Sequence, residues 1–135
     1  MAVFKDPKKL EHHLRKALDA QVAETLITVQ AELGSAAVSP VDTGRFRSSW
    51  FAAEGQASNA VAPEGADSPN TDATSLRVDS SKKYHLTNSL PYAQSVAIEG
   101  KVVAKPTTWF KDFRSSRIPV IQKEAAKQVK QQFEL

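Results

Sequence analysis

Between Pro7 and Leu33 the apolar residues Leu10, Leu14, Ala17, Leu18, Val22, Leu26, Val29 and Leu33 recur at steps of three and four. That spacing gathers them into one stripe of a helix. Lys9, Glu11, Arg15, Lys16, Asp19 and Glu24 fall mostly elsewhere. Asp6-Pro7 supplies a capping acid and a first-turn proline, and Gly34 supplies a stop. The pattern predicts one long helix over 7–33. Its stripe is longer than a small sheet needs, so part of it is expected to meet another subunit.

From Arg45 the period becomes two. Phe46, Ser48, Trp50 and Ala52 fall on one face, and Arg45, Arg47 and Ser49 on the other, which predicts a half-buried strand. Phe51 breaks the alternation and is expected to reach a second surface. Residues 53–75 are dominated by Gly, Pro, Ser, Asn and Asp and read as a long polar loop, expected to order only in an assembly. Leu76–Val78 and Tyr84–Thr87 alternate as two more short strands. Leu90-Pro91 opens a short helix that Gly100 ends, and 101–104 reads as a further strand. Thr107 or Thr108 is positioned to cap a last helical region. Pro119 predicts a break or kink near Ile118. Beyond it Ile121, Ala125, Val129 and Phe133 form a stripe at steps of four, with Lys123, Lys127 and Lys130 off it. The expected core contains Phe46, Trp50, Tyr84, Leu86 and Tyr92, with Trp109, Phe110 and Phe113 divided between core and interface. Together these elements predict a single domain with a helix at each end, short strands between them and a long polar loop.

Composition narrows the possible functions. A chain of 135 residues has single-domain length. It has no cysteine, which excludes a disulfide framework and a thiolate metal site. No segment has the apolar length of a membrane span, and the first residues lack the apolar core of a signal peptide, so the chain is expected to be made and kept in a cytoplasm. The net charge of +3 is unevenly spread. Residues 51–80 carry 1 basic and 5 acidic groups, whereas residues 101–135 carry 8 basic and 3 acidic. Opposite potentials of this kind suit contact between copies.

Three chemical readings merit weighing. Asp42-Thr43-Gly44 matches the aspartic-protease triplet, in which two carboxylates share a proton. Here Ser39-Pro40 precedes it in place of an apolar strand, and Arg45 follows, which favours an ionised carboxylate. A turn is the better reading, with Asp42 accepting backbone N–H groups and Gly44 taking a conformation other residues resist. His12 and His13 are adjacent on a helix and point about 100° apart, so they do not chelate one ion, and His85 stands alone. Lys101, Lys105, Lys111, Arg114, Arg117, Lys123, Lys127 and Lys130, interleaved with Trp109, Phe110 and Phe113, could neutralise phosphates and stack bases. The plainer alternative is that the aromatics anchor a helix which the lysines keep soluble. No catalytic, metal or cofactor site is expected, and no enzymatic activity.

Two stretches carry a resemblance: Pro40-Val41-Asp42-Thr43-Gly44-Arg45-Phe46-Arg47-Ser48-Ser49-Trp50 and Asn88-Ser89-Leu90-Pro91-Tyr92-Ala93-Gln94-Ser95-Val96-Ala97-Ile98-Glu99-Gly100. Set between two charge-rich helices, they resemble the tail-completion (neck) proteins of long-tailed bacteriophages, which join head to tail. The resemblance implies an α+β fold, a long N-terminal helix and a C-terminal helix packed on a small antiparallel β-sheet, with a long polar loop. It also implies a structural virion protein, made in the host cytoplasm, several copies of which (commonly six) form a ring. Such a ring lies between a head-side connector or head-closure protein and a tail terminator or tail tube protein. It leaves a channel through which DNA passes without sequence-specific binding, and it involves no membrane. The alternatives are a tail terminator or head-closure protein of the same neck, or a DNA-binding module. Arg45, Arg47, Phe51, Trp109, Phe110, Arg114 and Arg117 are the candidate interface residues. Pro40, Asp42, Thr43, Gly44, Pro91, Tyr92 and Gly100 are the turn residues that set the motifs. The acidic loop is a candidate for reaching an adjacent ring or the channel wall.

Overall fold

A computed structural model describes residues 5–35, 37–39, 44–98, 105 and 108–135. Helix α1 spans Pro7–Leu33, as the apolar spacing predicts. The Asp6 carboxylate accepts the Lys8 N–H at 2.9 Å and Pro7 occupies the first turn. Gly34 does stop the helix, though not by adopting a left-handed conformation; its φ is −77°. Glycine is needed there because a Cβ would lie 2.8 Å from the Pro69 Cβ.

Residues Arg45–Ser48 form one helical turn, α2, where the alternating pattern predicts a strand; strand β1 begins only at Trp50 and runs Trp50–Glu54. Local hydrogen bonding explains the difference. The Ser48 and Ser49 hydroxyls donate to the carbonyls of Gly44 and Arg45, four residues back, at 2.8 and 2.7 Å. The Ser48 N–H donates to the same Gly44 carbonyl at 3.2 Å and closes the turn. Phe46 and Trp50 share a side either way, because a spacing of four satisfies both periods.

β1 pairs antiparallel with β2, Tyr84–Asn88, in the register Trp50↔Asn88 to Glu54↔Tyr84. The strand predicted over Leu76–Val78 is absent; Asp72–Ser75 form a 3-10 turn and 76–79 follow as irregular chain. The Asp72 carboxylate takes the Ala52 N–H at 3.0 Å, a donor that a third strand would need.

Leu90 is buried and ends in a turn at Pro91-Tyr92, from which helix α3 runs Ala93–Ala97. Helix α4, Trp109–Asp112, passes through a π turn, Phe113–Arg117, into α5, Ile118–Gln132. The irregularity that Pro119 predicts takes this form. Proline has no N–H for the carbonyl four residues back, Ser115, and its ring crowds that position, so the turn before it widens and the helical run continues. Thr108 precedes α4, but its hydroxyl donates to the Asp112 carboxylate at 2.8 Å and caps no backbone N–H. Gly100, Thr107 and the strand read at 101–104 lie outside the described residues.

The core is where α1, the sheet and the C-terminal helices meet. Val29, Leu33, Phe46, Trp50, Leu90, Trp109, Phe113 and Ile121 form one buried cluster. Leu26, Ala52 and Ala73 form a second, packed by Leu76, Tyr84 and Leu86. Ile121, Ala125 and Val129 are buried against α1, as their stripe predicts. Tyr92 was expected in this core and is exposed. The proline turn ahead of α3 directs it outward, and Leu90 is the buried anchor.

Candidate interaction surfaces

The first motif stretch is welded to its own chain. Gly44 has φ +80°, and a Cβ added there would fall 2.1 Å from the Asp67 Oδ1. Only a residue without a side chain admits that approach. Arg47 donates to Gly34 O at 3.1 Å and to both Asp67 O and Asp67 Oδ1 at 2.7 Å. Arg45 Nε donates to Ala62 O at 2.8 Å, and Ser49 Oγ accepts the Ala62 N–H at 3.1 Å. Neither arginine stands on a strand face. Both are turned onto the polar segment and hold it against the helix–sheet junction. Pro40, Asp42 and Thr43 lie outside the described residues.

The second stretch meets the first. Asn88 Nδ2 donates to Phe46 O at 2.8 Å, and Asn88 faces Trp50 across the strand pair. Leu90 joins Phe46 and Trp50 in the same cluster.

The aromatic candidates differ in burial. Trp109 is buried, meets Phe46 edge-on at 6.0 Å and donates from Nε1 to Val96 O at 2.9 Å. Phe110 is half-buried and stacks on Trp50 at 5.7 Å. Arg114 is exposed above the Phe110 ring, 5.7 Å from its centroid. Phe51 is half-buried on the face of β1 opposite Trp50 and Ala52. Arg117 bonds Glu32 through two parallel contacts, at 2.7 and 2.8 Å, tying the start of α5 to the end of α1. That carboxylate holds the guanidinium in its charged form, its pKa raised further above the ordinary value.

Sequence reasoning missed one polar hub. Gln30 is buried within the apolar stripe of α1. Its amide nitrogen donates to Trp50 O at 3.0 Å and to the Asp72 carboxylate, while its oxygen accepts the Ala73 N–H at 2.9 Å. A polar residue interrupting the run Leu26, Val29, Leu33 was the available signal.

The charged segments look different once their contacts are known. Of the five acids in 51–80, Glu54 pairs with Lys82 at 2.9 Å, Asp67 with Arg47, and Asp72 with Gln30 and Ala52. Asp79 accepts both the N–H and the hydroxyl of Ser81, at 2.9 and 2.7 Å. These Ser81 bonds pull the Asp79 pKa below its ordinary value, and the Glu54 contact raises that of Lys82. Two of these carboxylates are thus paired with cations, and two accept bonds from neutral donors that leave their charge in place. On α5, by contrast, Lys123, Lys127 and Lys130 are exposed and lie off the buried stripe.

Among the described residues an apolar ridge without a partner stands on α1. Leu10, Leu14 and Leu18 are 39%, 42% and 55% exposed. They stand between a groove toward Asp79–Ser81 and another toward Ala126, Val129 and Leu135. Farther along α1, Val22, Leu26 and Val29 meet Tyr84, Leu86 and Ile118 around an open groove of about 650 Å³.

Among the described residues no three His, Cys, Asp or Glu side chains converge as metal ligands, and no helix is long and apolar enough to cross a membrane. His13 Nε2 lies 2.7 Å from Phe133 O and its ring meets Phe133 edge-on, which ties the two chain ends together. His85 sits on β2 opposite Ala53. No family model matches the chain, and searches of curated proteins and of solved structures return no match either.

Proposed function

We propose that this chain is a structural, non-enzymatic subunit of a bacteriophage neck, several copies of which form a ring between the head-side connector and the tail. The observation that carries this reading is the convergence of the two motif stretches. Residues 44–50 and 88–96 are remote in sequence yet share one core, through Asn88–Phe46, the Trp50↔Asn88 pairing and Leu90. The residues behind the resemblance thus serve one structural purpose, a rigid junction of helices and sheet. The surface around that junction offers apolar ridges and grooves, which favour docking to other subunits. DNA would pass through the bore held by no base-reading contact.

The test is genetic and structural. Particles assembled without this chain should accumulate as filled heads and separate tails, and supplying the chain should join them. Joined, infectious particles formed in its absence would overturn the reading.

A further inference from the structure

We propose that a second copy of this chain covers the Leu10–Leu14–Leu18 ridge, the two α1 helices pairing antiparallel about a two-fold axis level with residues 19–20. The inference goes beyond the neck reading and does not depend on it.

Single exposed leucines are ordinary, but three in one row on a helix whose other half is buried only at Leu26, Val29, Gln30 and Leu33 make a patch. At steps of four they make a continuous ridge about 12 Å long. The groove walled by Tyr84, Leu86 and Ile118 lies on the same helix, centred near Thr25. Residues eleven apart on a helix differ by only about 20° in direction, so Leu14 and Thr25 point the same way. Ridge and groove therefore occupy one face of α1, about 16 Å apart along its axis.

That placement selects the occupant. A head-to-tail ring contact needs two patches facing different neighbours, whereas patches side by side on one face are matched by turning a second copy over. Each ridge then enters the other copy's groove, and one contact covers all four apolar patches. The face also carries both signs of charge, Glu11 and Arg15 beside the ridge and Lys82 at the groove rim, so a copy turned over can set opposite signs together. A two-fold contact does not propagate into a ring, so this pairing describes the free protein, and ring contacts use other surfaces.

Light scattering on the purified full chain tests this. The expected mass at tens of micromolar is twice the 14.7 kDa of one chain, falling to a single chain in Leu14→Glu and Leu18→Glu with the circular dichroism unchanged. Orientation is read by cross-linking, since the chain has no cysteine of its own. Gln21→Cys, close to the axis, should form a disulfide with itself. Leu14→Cys alone should not, but mixed with Thr25→Cys it should. A monomer at these concentrations, an oligomer indifferent to Leu14→Glu, or self-linking of Leu14→Cys would each overturn the proposal. The neck reading is judged separately, by head–tail joining.

Discussion

Gly44 and Gln30 show how single positions hold this fold together. At Gly44 the backbone is left-handed and the Asp67 carboxylate occupies the space a side chain would need. Gly44→Ala should cost about 1–2 kcal/mol for the left-handed alanine alone, and more as Asp67 is displaced from Arg47; urea unfolding measures the loss. Gln30 satisfies a donor and two acceptors that have little other access to partners. Gln30→Leu keeps the volume but strands them, so a loss of about 1–3 kcal/mol is expected in the same experiment. The turn at Asp79 gives a pH signature. Its folded pKa is lowered by Ser81, so the stability it contributes is present above the unfolded value and lost as pH falls through the lower folded one. The Ser81 amide resonance should therefore titrate with a midpoint below the ordinary 3.8, and a midpoint at or above it would contradict the assigned bonds.

Elements differ in how far their sequences announced them. The helix over 7–33 was fully legible, because its cap, proline, stripe and terminal glycine all agree. The α5 stripe was equally clear. The first motif was misread at its start, since Phe46 and Trp50 sit at a spacing common to both periods and local bonds back to Gly44 and Arg45 accompany the turn. The strand over Leu76–Val78 failed because Asp72 occupies the edge of β1, a contact between residues twenty apart that no local pattern reveals. The arginines were legible as functional-looking residues but not as anchors of the polar segment, for the same reason. Burial sets the expected response of each helix. Ile121→Ala on α5 should cost about 2–5 kcal/mol, as for other buried aliphatic truncations. Leu18→Ala on the free chain's exposed ridge should change unfolding stability per monomer by no more than about 0.5 kcal/mol, measured at dilutions that keep the chain monomeric.

At the scale of the whole molecule, two acids of 51–80 fasten that segment, Asp67 to Arg47 on α2 and Asp72 to Gln30 on α1 and the Ala52 N–H of the sheet, whereas the α5 lysines face solvent. Glu54 and Asp67 are paired with cations, while the bonds to Asp72 and Asp79 come from neutral donors and leave their negative charge in place. The described residues form a core with apolar and basic surfaces turned outward. Its proposed place in a phage neck is most directly tested by electron cryomicroscopy of complete particles. The account predicts a closed ring at the head–tail junction into whose subunits α1, the two-stranded sheet and the π-interrupted C-terminal helix fit as one body. A junction resolved to side-chain detail without this chain, or this chain found elsewhere in the particle, would contradict it.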